Sequence, residues 1–153
     1  MCGFAGILDT DPQLTNHAMA DLVGRMADAL RARGPDDSGV WTDAEAGIAL
    51  GFRRLSILDL SPAGHQPMIS ADGRFVIVFN GEAYNFAALR AELESHGVVF
   101  RGGSDTEVVL EACAYWGFLP TLRRLNGMYA IALWDRAKRT LSLARDRLGI
   151  KPL

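Results

Sequence analysis

The chain has little cysteine, no long apolar run and no surplus of charge of either sign. Of its 153 residues, two are cysteine, 16 are lysine or arginine and 18 are aspartate or glutamate. That near-balance gives no electrostatic reason to expect nucleic acid or an anionic membrane as a partner. Arg53-Arg54 and Arg123-Arg124 are isolated pairs rather than a basic stripe. No stretch approaches the length of a membrane-spanning helix, and the start lacks the basic and apolar regions of a secretion signal. A cytoplasmic protein is the resulting expectation, and in that compartment two cysteines are thiols rather than a disulfide. His17, His65 and His96 show no metal-ligand spacing, so no metal site is expected. Neither common glycine-rich phosphate loop occurs. Repeats, low-complexity segments and domain linkers are also missing.

Hydrophobic side chains make up 49% of the chain, enough to bury one sizeable core, and the expectation is a single domain over 1–153. The segment that organises the reading is Met1-Cys2-Gly3-Phe4-Ala5-Gly6. If Met1 is removed, Cys2 carries both a thiol and a free α-amine, and an α-amine with a pKa near ~7.7–8.0 is a usable base at neutral pH. A nucleophile activated by the chain's own terminal amine is an established arrangement. Position two also suits an ordinary small residue, and these residues alone leave both readings open. Cys113, among Val109, Ala112 and Trp116, reads as an inert core thiol.

Along the chain, an apolar strand is expected first, with glycines that allow close backbone approach. Asp11-Pro12 reads as a helix start, followed by an amphipathic helix over about 13–31 with Leu14, Met19, Leu22, Val23, Met26 and Leu30 at helical spacing. A turn-rich loop over 33–39 leads to short strands near 40–42 and 47–54. The stretch 59–67, with two prolines and a glycine, is expected to wander over the surface. Asp72-Gly73 marks a hairpin before the apolar run Phe75–Phe79. Helices over about 86–96 and from about Ser104 follow, then strands over 128–134 and 141–145 around a tight turn. Hairpin-linked strands with helices in separate blocks argue α+β with antiparallel sheets, not a doubly wound parallel sheet. The doubly apolar strands suggest two sheets packed together and sandwiched by helices.

Several polar stretches allow a chemical as well as a structural reading. Arginine in Arg53-Arg54-Leu55-Ser56-Ile57 suits a bidentate hold on a carboxylate, or simply a solvated strand end. Asn80-Gly81-Glu82 suits paired donors for a developing oxyanion, or a plain Asn-Gly turn. Ser104-Asp105-Thr106-Glu107 has capping-box spacing, while Asp105 also suits an ammonium group. Arg145-Asp146-Arg147 reads as an ion-pair network or a surface charge cluster.

Together and in order, the Met-Cys-Gly start, Arg33-Gly34-Pro35-Asp36-Asp37, Arg54-Leu55-Ser56-Ile57, Gly64-His65-Gln66-Pro67-Met68, Asn80-Gly81-Glu82, Ser104-Asp105-Thr106-Glu107 and the stretch from Arg145 to Leu153 resemble a class II glutamine amidotransferase domain, nearest to the glutamine-hydrolysing asparagine synthetases. The resemblance covers the whole chain. It implies an N-terminal-nucleophile hydrolase fold, a four-layer sandwich of two antiparallel sheets between helix layers. It also implies hydrolysis of glutamine to glutamate and ammonia. By matching positions, Cys2 is the nucleophile, and the Asn80 side chain and Gly81 N–H form the oxyanion hole. Arg54 holds the substrate carboxylate, Glu82 and Asp105 its α-ammonium, and the Leu55–Ile57 backbone lines the substrate site. The motifs 64–68 and 145–153 receive no chemical step and count as framework. No cofactor is implied in this chain; ATP and magnesium belong to a following synthetase domain, which in the family adenylates aspartate and consumes the ammonia. The resemblance allows a homodimer of such a full enzyme. Ala32 and Phe52 stand where the family often has histidine, and the chain stops where relatives continue into another strand. The expectation is thus the glutaminase part of a longer enzyme or a truncated product. The alternatives are the glutaminase domain of an amidotransferase with a sugar-phosphate or phosphoribosyl acceptor, and an inactive interaction module.

Overall fold

A computed structural model of the chain describes residues 2–11, 13–56 and 62–153. They divide into two compact units, one holding residues up to 56 together with His65–Pro67, the other holding 62–64 and Met68–Leu153.

In the first unit, β1 (Gly3–Leu8), α1 (Asn16–Asp28), β2 (Asp37–Asp43) and β3 (Ile48–Arg54) form an antiparallel sheet of order β1-β3-β2 with one helix. Met19, Val23 and Ala27 recur every fourth residue along α1 and are buried, as helical spacing of an apolar stripe requires. Glycine is needed at Gly51 for this packing: a Cβ there would lie 3.0 Å from the Val23 carbonyl oxygen and 3.1 Å from Ala27 Cβ. The helix does not start at Asp11-Pro12. Thr15, in extended backbone, accepts the Ala18 N–H on its hydroxyl and caps a helix that begins at Asn16. Asp11 instead gives its N–H to Asp9 Oδ1, and Pro12 lies outside the described residues. The helix ends at Asp28 and continues in tight turns, Leu30, Arg31 and Arg33 each donating three residues back. The strand β2 reaches back to Asp37, further than the loop expected over 33–39. In the stretch expected to wander, Gln66 is only 4% exposed. Its carbonyl oxygen would meet a Cβ on Gly39 at 2.0 Å, so bare backbone on β2 admits it, and His65 Nδ1 lies 2.8 Å from Asp37 Oδ2.

The second unit contains β4 (Met68–Ile69), β5 (Phe75–Ala83), α2 (Phe86–Ser95), α3 (Asp105–Trp116), α4 (Phe118–Arg124), β6 (Gly127–Asp135) and β7 (Thr140–Arg145). Its antiparallel sheet has the order β4-β5-β6-β7. At the predicted hairpin, Gly73 adopts φ +72°, and Asp72 Oδ1 accepts the Arg74 N–H. Phe75, Ile77, Phe79 and Ala83 alternate onto one face of β5 and close a core with Leu89, Leu93, Val108, Val109 and Cys113. A bidentate pair from Arg74 Nε and Nη2 to the Asp135 carboxylate ties the start of β5 to the end of β6.

Two departures matter here. The strand expected over 75–79 continues to Ala83 because β6 pairs with it to the end, Glu82 opposite Met128 and Ala83 opposite Gly127. Asn80-Gly81-Glu82 is therefore strand, not turn. The helix α4 was not expected because it contains Pro120, which is tolerated where the missing N–H would lie in the unpaired first turn. With these changes the α+β class with two antiparallel sheets stands. No helix among the described residues is long and apolar enough to cross a membrane.

Candidate active site

In the first unit, strand register brings the predicted residues together. β1 pairs with β3 so that Gly3 faces Arg53, and one further step sets Cys2 beside Arg54. Cys2 is half-buried, and Arg54 is buried. The Leu55 N–H donates to Cys2 Sγ at 3.3 Å, and Sγ lies 3.6 Å from the Leu55 carbonyl oxygen. The Cys2 carbonyl accepts Arg33 Nε–H at 3.2 Å. The nucleophile candidate is thus held at both backbone and sulfur, while its side chain keeps partial access to solvent. Ile57, the remaining substrate-site candidate of this stretch, lies outside the described residues.

In the second unit, the end of β5 and the start of α3 gather the other four. Asn80 and Glu82 share one face of β5, opposite the face that carries Phe79 and Ala83 into the core. Asn80 is 4% exposed and Glu82 is half-buried. Gly81 lies against β6 so closely that a Cβ would meet the Met128 carbonyl oxygen at 2.3 Å. Any side chain there would push the strands apart, so this backbone position is open only to glycine.

Asp105 opens α3 behind the N-cap Ser104, whose hydroxyl accepts the Glu107 N–H at 3.2 Å. Half of the predicted capping box is thereby seen. The Glu107 carboxylate is engaged by the N–H groups of Arg101 and Gly102, both at 2.8 Å. Asp105 itself accepts the Ala83 N–H at 2.9 Å, which pins the helix start to the end of β5. Burial pushes the Asp105 carboxyl above the ordinary aspartate range; N–H bonds from Ala83 and Thr106 oppose that shift, and the nearby negative charge of Glu82 adds to it. The two carboxylates thus lie close enough for the charge of one to act on the other.

Other candidates fall to structural roles. Asp146 is buried and accepts N–H groups from Tyr129, Ile150 and Lys151. Desolvation would raise its pKa, yet those N–H bonds outweigh it and hold the group down at about 2. Arg147 caps α4 by donating to the carbonyls of Leu125, Leu122 and Arg123. Burial pushes the Cys113 thiol up to about 12, which makes it inert. Among the described residues no group of three His, Cys, Asp or Glu is placed to hold a metal ion. The role of Arg33 was missed by sequence reasoning; its place in an otherwise unassigned motif was the only signal.

The family model for the glutamine amidotransferase domain matches residues 1–153. Asparagine synthetase [glutamine-hydrolyzing] 2 of Bacillus subtilis is 42% identical over 153 residues, covering 100% of this chain and 20% of that protein. Asparagine synthetase [glutamine-hydrolyzing] 1 of the same organism is 40% identical, covering 100% of this chain and 24% of that protein. The chain thus spans about a fifth to a quarter of the length of these relatives. Among solved structures, the glutamine phosphoribosylpyrophosphate amidotransferase from B. subtilis complexed with ADP and GMP superposes with a TM-score of 0.77 at 19% identity, over 99% of this chain and 38% of that one. At that identity the likeness is one of fold.

Proposed function

Since the chain belongs to the glutamine amidotransferase domain family, we propose that it hydrolyses glutamine to glutamate and ammonia through a thioester on Cys2. The observation that carries this reading is the setting of Cys2, with its sulfur against the Leu55 N–H and Arg54 beside it, in a chain matched along its full length. Once Met1 is removed, the Cys2 α-amine takes the thiol proton and the sulfur adds to the side-chain amide carbon. The Asn80 side chain and Gly81 N–H stabilise the oxyanion; one such donor contributes about 2.7–4 kcal/mol to a transition state. The amine returns the proton to the departing ammonia, leaving the thioester, and water then releases glutamate and the free thiol. Arg54 holds the substrate carboxylate, and Glu82 with Asp105 holds its ammonium group. Ile57 belongs to the same substrate set.

The proposal extends to the longer protein. There the ammonia passes to aspartate activated with ATP and magnesium, and the glutaminase half needs no cofactor of its own. A cytoplasmic location goes with this reading. The test is incubation of the chain, with Met1 removal established by mass spectrometry, with glutamine. Equal yields of glutamate and ammonia, and a trapped acyl adduct on Cys2, are expected. A folded, correctly processed chain that releases no ammonia overturns the reading.

A further inference from the structure

Arg33-Gly34-Pro35-Asp36-Asp37 has no step in the proposed reaction, yet its contacts converge on the nucleophile. Asp36 Oδ2 accepts the Ser56 N–H at 2.8 Å, and the Asp36 N–H donates to the Arg54 carbonyl at 3.0 Å. These two bonds bracket Leu55, the residue whose N–H reaches Cys2 Sγ. Gly34 lies flat against the preceding peptide, where a Cβ would come within 2.4 Å of Arg53 C and 2.6 Å of Arg54 N. The strand β3 ends at Arg54, and its last register partners are Arg53 with Gly3 and Arg54 with Asp37. The Leu55 N–H shares a peptide plane with the Arg54 carbonyl, which the Asp36 N–H holds, whereas the next plane, carrying the Leu55 carbonyl 3.6 Å from Cys2 Sγ, is held at its Ser56 N–H by the Asp36 carboxylate. The orientation matters because an N–H attracts a sulfur anion, whereas the carbonyl oxygen of the same residue repels it.

We propose that Asp36 is a positioning residue for the nucleophile: its carboxylate fixes the Ser56 N–H and so keeps the Leu55 carbonyl from turning further onto Cys2 Sγ, leaving the Leu55 N–H as the sulfur's partner. This rests on Cys2 being the reacting group of the proposed glutaminase, but the setting of the sulfur can be measured without glutamine. Cys113 is 1% exposed and its thiol is held at about 12, so alkylation at neutral pH reads Cys2.

The experiment compares wild type, Asp36→Ala, Asp36→Asn and Asp36→Glu, all with Met1 removed. It measures the second-order rate of iodoacetamide alkylation, kcat and KM for glutamine, and the melting midpoint. Misplacement of a reacting atom by about 1 Å costs up to about a hundredfold, so Asp36→Ala should lose roughly ten- to hundredfold in both alkylation rate and kcat, with KM little changed. Asp36→Asn should recover both rates, because its amide oxygen still accepts the Ser56 N–H. A role confined to stability would lower the melting midpoint and leave the alkylation rate of the folded fraction alone. Wild-type alkylation and turnover in folded Asp36→Ala overturns the proposal, as does equal damage in Asp36→Asn. If Asp36→Ala does not fold, Asp36→Glu carries the test: its acceptor sits one methylene further out, slowed alkylation is expected, and a wild-type rate overturns the proposal. The same alkylation pattern in a wild type that releases no ammonia supports the positioning role and defeats the glutaminase reading alone.

Discussion

The proposed nucleophile and the residues proposed to act with it are held by different kinds of force. Cys2 sits half-buried at the start of an edge strand, gripped by the Leu55 N–H at its sulfur and by Arg33 at its carbonyl. Met19, Val23 and Ala49 form one buried apolar cluster of its unit. Asn80 and Asp105 are set by burial: they extend elements whose other residues, Phe79, Ala83, Val108 and Val109 among them, line the core of the second unit. Cys2 is half-buried, while Asn80 and Asp105 are buried. Substitutions should therefore separate activity from stability at Cys2 and couple them more closely at Asn80.

The largest effect is expected at Cys2. Cys2→Ala should reduce glutamine hydrolysis to background while the melting midpoint hardly moves, since among the described residues the sulfur's hydrogen bonds are those to Leu55. Ammonia release at a wild-type rate by the folded variant would refute the mechanism. A retained Met1 or an N-terminal tag should silence the protein equally, because the base becomes a peptide nitrogen. Mass spectrometry paired with an ammonia assay checks this.

Next comes Asn80. Removing one oxyanion donor costs about 100- to 1,000-fold in kcat, so Asn80→Ala should lose that much, with KM for glutamine much less affected. Unlike Cys2→Ala, it should also lower the melting midpoint, because Asn80 is 4% exposed and truncation leaves space beside the sheet. Unchanged kcat in this variant would remove the amide from the oxyanion hole.

The same contrast explains what could be read from the residues alone. The strand Phe75–Phe79 was legible because an unbroken apolar run between turn signals has few other solutions. Its continuation through Asn80-Gly81-Glu82 was not: the residues favour a turn, and it is pairing with Ala130, Tyr129 and Met128 that makes them strand. Asp11-Pro12 is as good a helix start as Thr15 by residue type, and the difference is set where the stripe Met19-Val23-Ala27 meets the sheet. The helix α4 was hidden by Pro120, whose effect depends on its place in the first turn. Candidate site residues were found by their order along the chain. The Asp36 contact was not, because its partner is a backbone N–H at residue 56, and no side-chain pattern records a backbone acceptor or donor at that distance.

Asp105 should show a smaller effect with a distinct signature. Asp105→Asn keeps an oxygen for the Ala83 N–H but replaces the second acceptor with an N–H₂ group that repels an ammonium. Hydrogen bonds to charged groups contribute about 1.5–3 kcal/mol, so kcat/KM should fall at least about tenfold with little change in melting. Glu82→Gln and the double variant test whether the neighbouring carboxylate compensates. The pH dependence follows from burial. Because the folded pKa is raised, Asp105 takes up its proton above the range where the unfolded chain would. In that window the folded state binds more protons, so this group's contribution to stability falls as pH rises through the raised pKa and is recovered on acidification. Ammonium binding runs the other way: KM for glutamine should rise on acidification through the window, and Asp105→Asn should lack that dependence. Wild-type kinetics in Asp105→Asn would leave it a structural residue only.

The smallest expected effect separates the helix start from the proposed ammonium site one residue away. Ser104 is 5% exposed, and its hydroxyl satisfies the Glu107 N–H, a donor otherwise left without an intrahelical partner. Ser104→Ala should therefore cost about 1 kcal/mol of stability, the typical loss for an N-cap hydroxyl. Fraying should be limited, because the Glu107 carboxylate still accepts from Arg101 and Gly102 and the Asp105 carboxylate still holds Ala83. The carboxylates proposed to bind the ammonium keep their places, so kcat/KM should stay near wild type while the midpoint of denaturant unfolding drops at constant slope. If Ser104→Ala instead loses as much kcat/KM as Asp105→Asn, the two residues act as one cap, and the apparent role of Asp105 in binding is a consequence of where α3 begins.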